Sequence, residues 1–293
     1  MSVDKMLKSY KQMVEQALAQ KMQVGDIAQK EVFDAMEYST MLGGKRIRPA
    51  IMMEFCRLCG GEPEDALCCA MGMEMIHTSS LIHDDLPCMD NDDMRRGKPS
   101  CHKAFSEDTA LLAGDGLLMW AIDVAGETKL DDGIVRRAMQ KMAHAAGSFG
   151  MVGGQVCDLA LEKAESVSVE QLEYTHKRKT GALICASAEI GCILGGGTAQ
   201  QIAAAIKYAE NIGLVFQIVD DILDITGDEA LLGKPIGSDE ANNKPTWATL
   251  LGIEGAKELA GKLTAEAKDA LDIFGAEADT MKDFADMLLD RKF

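Results

Sequence analysis

Helical periodicity runs through most of the apolar sequence, and it restricts the fold more than any other feature. Apolar side chains recur at three- and four-residue spacing over Tyr10 to Ala19, Ala66 to His83, Leu111 to Ala125, Val135 to Phe149, Ala182 to Leu194, Thr198 to Asp224, Glu254 to Phe274 and Asp279 to Leu289. That spacing lines up one face of an α-helix. Only six prolines interrupt 293 residues, so long stretches carry no helix breaker. Short polar loops punctuate the helices: LGGKRIRP, CGGEPED, NDDMRRGKPS, EKAESVSVE, LGGGT and TGDEALLGKPIGSDEANNKPTW. Strand patterns are scarce, so the expectation is an all-α fold of many helices. No Ser/Pro-rich linker and no fixed-period repeat divides the chain, and residues 1–293 read as one domain.

Composition narrows the function. With 47% hydrophobic and 26% charged residues the chain is globular. A net charge of −17 repels polyanions, which argues against nucleic acid and anionic membranes as partners. It leaves room for a small phosphorylated ligand, because salt screens charge beyond roughly 8 Å and a local basic cluster dominates at close range. The nine cysteines are odd in number and the start, MSVDKMLKSY, has no apolar signal region; reduced thiols and a cytoplasmic location are the expectation. Cys56 and Cys59 form a C-x-x-C with Cys68 and Cys69 downstream, but all four fall in helix-like apolar sequence and no His pair follows. Buried core cysteine is therefore preferred over a zinc site. No apolar run is expected to reach the ~18–20 residues of a membrane span, so no stable membrane insertion is expected.

Two aspartate clusters carry the chemistry. Asp84, Asp85 and Asp90 follow the apolar segment MGMEMIHTSSLIH, and Asp220, Asp221 and Asp224 follow NIGLVFQIV. Asp220 and Asp224, at i and i+4, project from one helical face. Carboxylates this close repel one another and need cations when buried. An oxygen-only set suits a hard ion, Mg²⁺ above all, which often bridges carboxylates to a substrate phosphate. A solvated helix end explains one such cluster as well; two, each closing an apolar helix, favour metal–diphosphate chemistry. Basic residues cluster beside them: Lys45, Arg46 and Arg48 in GGKRIRP, Arg95 and Arg96 after the first acidic motif, Lys179 in KRKTG, and Lys234 and Lys244 after the second. Arg grips phosphate oxygens as a fork and Lys as a point charge. Gln217, Asp220 and Asp224 fall on one stripe at i, i+3 and i+7.

Together these motifs resemble the trans-prenyl diphosphate synthase family, the short-chain enzymes that make farnesyl and geranylgeranyl diphosphate. The likeness runs from GGKRIRP through HDDLPCMD, AGDGLL, GGQVCDL, KTGAL, FQIVDDILD and GKPIGSD to the terminal LLDRKF. The first acidic motif has the bacterial and plastid form, with two extra residues between its aspartates. The resemblance implies an antiparallel helical bundle around a central cavity, usually a homodimer. It implies that Asp84, Asp90 and Asp220 hold three Mg²⁺ ions, with Asp85, Asp221 and Asp224 in support. Arg95, Lys179 and Lys234 would clasp an allylic diphosphate, and Lys45, Arg48, His77 and Arg96 the diphosphate of isopentenyl diphosphate. Thr180 and Gln217 would face the reacting carbons, Gln155 and Asp158 would lie near the cavity, and Lys244 would help close the loop over the phosphates.

The resemblance also bears on product length. In the family, the residue five before the first Asp often blocks the tunnel, and Tyr or Phe there marks farnesyl synthases. Here it is Ser79, followed by Ser80. Ser79 lies ~7.5 Å along the helix from Asp84, and the next bulky candidates, Ile76 and Met75, ~12–13.5 Å. The open floor favours a twenty-carbon product over a fifteen-carbon one, unless Met119 or Met151 on another helix restores a shallower floor. A terpene cyclase would bind one diphosphate rather than two and usually has an Asn/Ser/Glu second motif. A non-catalytic partner subunit would typically lose metal-binding aspartates, and none is lost here. LGGGT lacks the Lys-Ser/Thr of a nucleotide-binding loop and reads as a helix connection.

Overall fold

The computed structural model describes residues 1–226 and 245–291. Its helices are α1 (Val3–Lys21), α2 (Lys30–Met41), α3 (Ile47–Leu58), α4 (Leu67–Asp84), α5 (Cys101–Ala104), α6 (Glu107–Gly126), α7 (Asp132–Ala146), α8 (Met151–Leu161), α9 (Val169–Lys179), α10 (Gly181–Leu194), α11 (Ala199–Thr226), α12 (Trp247–Ala270) and α13 (Asp279–Leu289). A two-stranded hairpin, β1 (Met94–Arg95) and β2 (Lys98–Pro99), is the one sheet among the described residues. The all-α expectation holds.

Side-chain caps set several helix starts. Ser2, Ser106 and Asp131 accept from the first turns of α1, α6 and α7. Ser168 with Gln171 and Thr246 with Thr249 form reciprocal capping boxes on α9 and α12. Helices α2, α3, α8 and α9 were not anticipated. They are short, and glycines or charged residues break their apolar spacing, so their burial rather than their pattern defines them.

Close helix approach positions the site. On α4, Gly72, Ser79 and His83 form one stripe at i, i+7 and i+11 that faces α6. A Cβ on Gly72 would stand 2.6 Å from the Ala121 carbonyl oxygen, and one on Gly114 would stand 2.1 Å from the His83 ring. The His83 ring sits in that notch, its Nε2 3.1 Å from the Leu111 carbonyl, and fixes the α4 end that carries the first acidic motif. Helices α3 and α10 run side by side with the same sense, Gly191 against Met52 and Gly195 against Cys56. Their N-terminal ends, at Arg46 and Thr180, both point to the site.

Two helices, α6 and α11, are long and apolar enough by length and composition to cross a membrane, which corrects the expectation that no run reaches that length. Of their most apolar windows 44% and 56% are buried inside the bundle, and α6 leaves Leu111, Leu112 and Met119 exposed. All nine cysteines are free thiols. LGGGT is a helix connection, with Gly196 at φ +76° and the Gly197 amide on the Cys192 carbonyl.

Candidate active site

The first acidic motif ends α4. The Asp90 amide donates to the Asp84 carbonyl at 2.9 Å, and the Asn91 amide donates to the Leu86 carbonyl with Asn91 in the left-handed region. The two extra residues thus form a loop that folds Asp90 back towards Asp84. Burial pushes the Asp84 carboxyl up to about 6; Asp90 and Asp85 push the same way, and Lys179 and Arg95 oppose them. Asp85 is also raised by burial, with Arg95 opposing. Arg95 lies fork-on to Asp85, its Nε 3.1 Å from both carboxylate oxygens, and reaches towards Asp92 at 3.5 Å. The residue assigned to an allylic diphosphate is therefore tied to an aspartate.

The GGKRIRP loop splits its three cations. Arg46 turns inward in the left-handed conformation and is buried, donating to Glu74 at 2.6 Å, to the Thr40 carbonyl at 2.6 Å and to Glu15 at 3.3 Å. It builds the fold. Lys45 and Arg48 turn to the site. Burial and the Arg291 guanidinium lower the Lys45 ammonium, with Asp220 opposing. Burial lowers Arg48, and Arg96 adds to this while Glu74 opposes it; Arg48 Nε is a buried donor with no partner among the described residues. Arg96 reaches the Gly43 carbonyl and fills the space a Cβ on Gly44 would need, 2.9 Å away. His77 is held well below its ordinary value, by burial first and then by Arg48, Arg96, Arg46 and Arg95. It is neutral at neutral pH.

The third wall is α8, α9, α10 and α11. Gly154 has no Cβ, which would stand 2.1 Å from the Lys179 amide, so α8 lies directly on the α9 end. The Lys179 ammonium is held by Asp158 of the same α8. Thr180 Oγ1 donates to Gln217 Oε1 at 3.0 Å, joining the two residues expected to face the reacting carbons. Gln155 Nε2 is buried without a partner among the described residues.

On α11 the second motif has a different state. Asp220 receives the Arg291 guanidinium, which stacks over the Phe216 ring with its centre 4.5 Å away. Asp221 accepts from the Trp247 amide at 2.7 Å, so one of its oxygens holds the start of α12. Asp224 is buried. Lys234 and Lys244 lie outside the described residues. Arg291 is a site residue that sequence reasoning missed; its one signal was a cation at the end of the LLDRKF segment.

The contacts close a ring. Asp84 lies within electrostatic reach of Lys179, Thr180 bonds Gln217, Gln217 lies one turn before Asp220, and Asp220 pairs with Arg291 and lies within electrostatic reach of Lys45. The Lys45 loop holds Arg96, and Arg95 returns to Asp85. Among the described residues no three metal-ligating side chains form a ready-made cage. The chemistry of the donor set still fits a hard cation: a buried carboxylate raised by its acidic neighbours is relieved by one, and Mg²⁺ usually completes its shell with water and substrate phosphate rather than protein alone.

The product-length residues separate. Ser79 is 2% exposed and lies against α6, and its hydroxyl donates to the Ile76 carbonyl at 2.8 Å. Ser80, half-buried, is on the Asp84 stripe and donates to the His77 carbonyl. Met75 and Ile76 are fully buried. Met119 is 70% exposed on α6, so it forms no floor within this chain, a correction that follows from its pointing outward from the bundle. Met151 is buried.

The chain is similar to known proteins in both sequence and fold. A family profile described as polyprenyl synthetase matches residues 29–273. A geranylgeranyl pyrophosphate synthase of Capsicum annuum chloroplasts is 47% identical over 83% of this chain and 66% of its own length. A farnesyl diphosphate synthase of Geobacillus stearothermophilus is 46% identical over 88% of this chain and 87% of its own. The chain thus spans about two thirds of the plant relative and most of the bacterial one. Among solved structures, an FPP/GFPP synthase from Zymomonas mobilis superposes with a TM-score of 0.89 at 36% identity, covering 98% of both chains. A geranyltransferase from Legionella pneumophila does so with 0.87 at 36% identity, over 99% of this chain and 97% of its own. The chain belongs to the polyprenyl synthetase family.

Proposed function

We propose that this chain is a short-chain all-trans prenyl diphosphate synthase that condenses isopentenyl diphosphate with an allylic diphosphate, and that its main product has twenty carbons. Family membership makes it a prenyltransferase. The observation that carries the reaction is the burial of like charges on two sides of the site. Arg48, whose buried Nε has no partner among the described residues, lies beside His77 and Arg96, and burial first and neighbouring guanidinium groups second lower all three; burial raises Asp84 and Asp85, with Asp90 adding to it and Arg95 opposing. A diphosphate on the first side and a cation–diphosphate pair on the second relieve both.

Bound Mg²⁺, held by Asp84, Asp90 and Asp220, would neutralise charge on the departing diphosphate. The residues do the rest. Arg48 Nε, neutral His77, Lys45 and Arg96 hold the isopentenyl diphosphate. Lys179, kept on station by Asp158, holds the allylic diphosphate. The Thr180 and Gln217 oxygens turn neutral dipoles to the allylic carbon as positive charge grows there, without a nucleophile to trap it. The isopentenyl double bond attacks that carbon, and a proton leaves to restore the alkene; the released diphosphate is the base, since no side chain is needed.

Product length rests on Ser79 and Ser80. Both hydroxyls are bonded back to helix carbonyls, so the wall they offer is small and apolar. The test is a chain-length assay with labelled isopentenyl diphosphate and dimethylallyl, geranyl and farnesyl primers in turn. Elongation to twenty carbons is expected, and Ser79→Tyr or Ser80→Phe should shift the product to fifteen. Ser79→Tyr should also cost about 1–3 kcal/mol of stability, because the ring must wedge between α4 and α6. An unchanged product in both variants overturns the floor. Leu111, Leu112 and Met119 are exposed on α6, an apolar strip suited to a second copy of the chain; a monomer by sedimentation at micromolar concentration overturns the dimer.

A further inference from the structure

Trp247 lies outside every motif named above, yet it joins two walls of the site. Its side chain is 1% exposed and packs with Leu172 of α9, Leu214 and Ile218 of α11, and Ala256 and Ala260 of α12. Its indole Nε1 donates to His176 Nδ1 at 2.9 Å, and its backbone amide donates to Asp221 Oδ2 at 2.7 Å. An indole N–H can only donate, so Nδ1 of His176 is the acceptor. Both anchored residues adjoin the reacting groups. The His176 carbonyl accepts the Thr180 amide at 3.2 Å, and Lys179 precedes Thr180. Asp221 follows Asp220 and lies one turn beyond Gln217. One residue therefore clamps α9 to α11 beside the Lys179–Thr180 pair and beside Asp220.

We propose that Trp247 is a positioning residue that sets the spacing between Lys179–Thr180 and Asp220, and with it the binding of the allylic diphosphate and its cation. This rests on the synthase reading above. A buried indole could serve packing alone, but packing needs neither bond. Two directed bonds, one to each wall, fix the separation of two helices that Thr180–Gln217 alone would let pivot. Losing such outer support typically costs 10–100-fold in metal affinity or activity. The isopentenyl side is built on α3 and α4, whereas the Trp247 partners named above lie on α9, α11 and α12, so that side should not respond.

Four variants separate positioning from packing: His176→Leu, His176→Asn, Trp247→Phe and the double variant Trp247→Phe/His176→Leu. Readouts are thermal midpoint, kcat, KM for each substrate, and calorimetric binding of an unreactive allylic diphosphate analogue with Mg²⁺. His176→Leu and Trp247→Phe should weaken analogue binding and lower kcat about tenfold, with KM for isopentenyl diphosphate within twofold of wild type. His176→Asn keeps an acceptor at the Nδ1 position and should restore both. The double variant removes the indole–imidazole pair as a unit and should recover the midpoint relative to either single variant but not the binding or kcat. Kinetics that recover together with the midpoint, or single variants with wild-type binding, overturn the proposal. Failure of the wild type to elongate any primer in the same assay overturns the synthase reading instead.

Discussion

The two acidic motifs share a signature and differ in what the fold has done with them. Asp84 stands on a helix end, crowded by Asp85 and Asp90, and burial pushes its carboxyl up to about 6. On α11, Asp220 has Arg291 and Asp221 has the Trp247 amide. In the first motif Arg95 takes Asp85 and leaves Asp84 buried beside Asp90; in the second, Asp220 and Asp221 are each tied to a C-terminal residue. Two related motifs of different spacing thus yield one with a buried carboxylate at its helix end and another whose members also secure the C-terminal helices. The difference teaches that a repeated motif need not mean repeated roles, and it ranks the aspartates.

The sharpest break of the comparison sets Asp84→Asn against Asp221→Asn. Asparagine at 84 keeps the side chain's size and removes the charge that a cation needs; kcat should fall at least about 10³-fold. Asparagine at 221 keeps an acceptor for the Trp247 amide, and kcat should fall by about tenfold at most. Equal losses measured with saturating substrates would erase the distinction. Next in size is Arg48→Met. It keeps the stem and deletes a buried guanidinium whose Nε is unpartnered. Loss of charge-assisted bonds worth about 2–3 kcal/mol should raise KM for isopentenyl diphosphate about 100-fold, with KM for the allylic substrate little changed. Parallel rises in both would place Arg48 between the sites.

Acidity tests the first motif alone. A carboxyl raised to about 6 is ionised above that pH and protonated below it, so Mg²⁺ must displace a proton in acid. The Mg²⁺ concentration for half activity should rise about tenfold from pH 7 to pH 5. His77 should not confuse this, being held far below that window. A flat Mg²⁺ requirement across that range would mean that Asp84 is not the residue whose proton competes.

Much of this was legible because the chemistry is local in sequence. Asp84 with Asp90, and Gln217 with Asp220 and Asp224, declare themselves by spacing on a helix or its end. Lys179 and Thr180 did so by their motif. What stayed hidden depends on contacts across the chain. Arg291 meets Asp220 across 71 positions and His176 meets Trp247 across 71, and no pattern in either segment announces the pairing. Nor could spacing tell that Arg46 of GGKRIRP turns inward to Glu74 while its neighbours face the site: that choice is set by a left-handed backbone at a non-glycine residue. Met119 stayed an open possibility until the structure placed it outside, because apolar periodicity marks a helix, not which of its faces meets a cavity.

The smallest expected effect asks whether the second motif can be made to behave like the first. Arg291→Gln removes the cation from Asp220, a carboxylate whose side chain is 41% exposed. At that exposure an ion pair is worth under about 1 kcal/mol, so the guanidinium is a weak competitor for the position a metal ion would take. Freed of it, Asp220 should need about threefold less Mg²⁺ for half activity. The same change removes the guanidinium that lowers Lys45, so isopentenyl diphosphate binding loses one cation while its neighbour becomes more firmly charged, and KM should move less than twofold. Both shifts fade as salt is raised, since screening weakens an exposed pair and its replacement alike. A rise in the Mg²⁺ requirement would reverse the assignment: Arg291 would then be supporting the cation's binding through the diphosphate, not occupying its place.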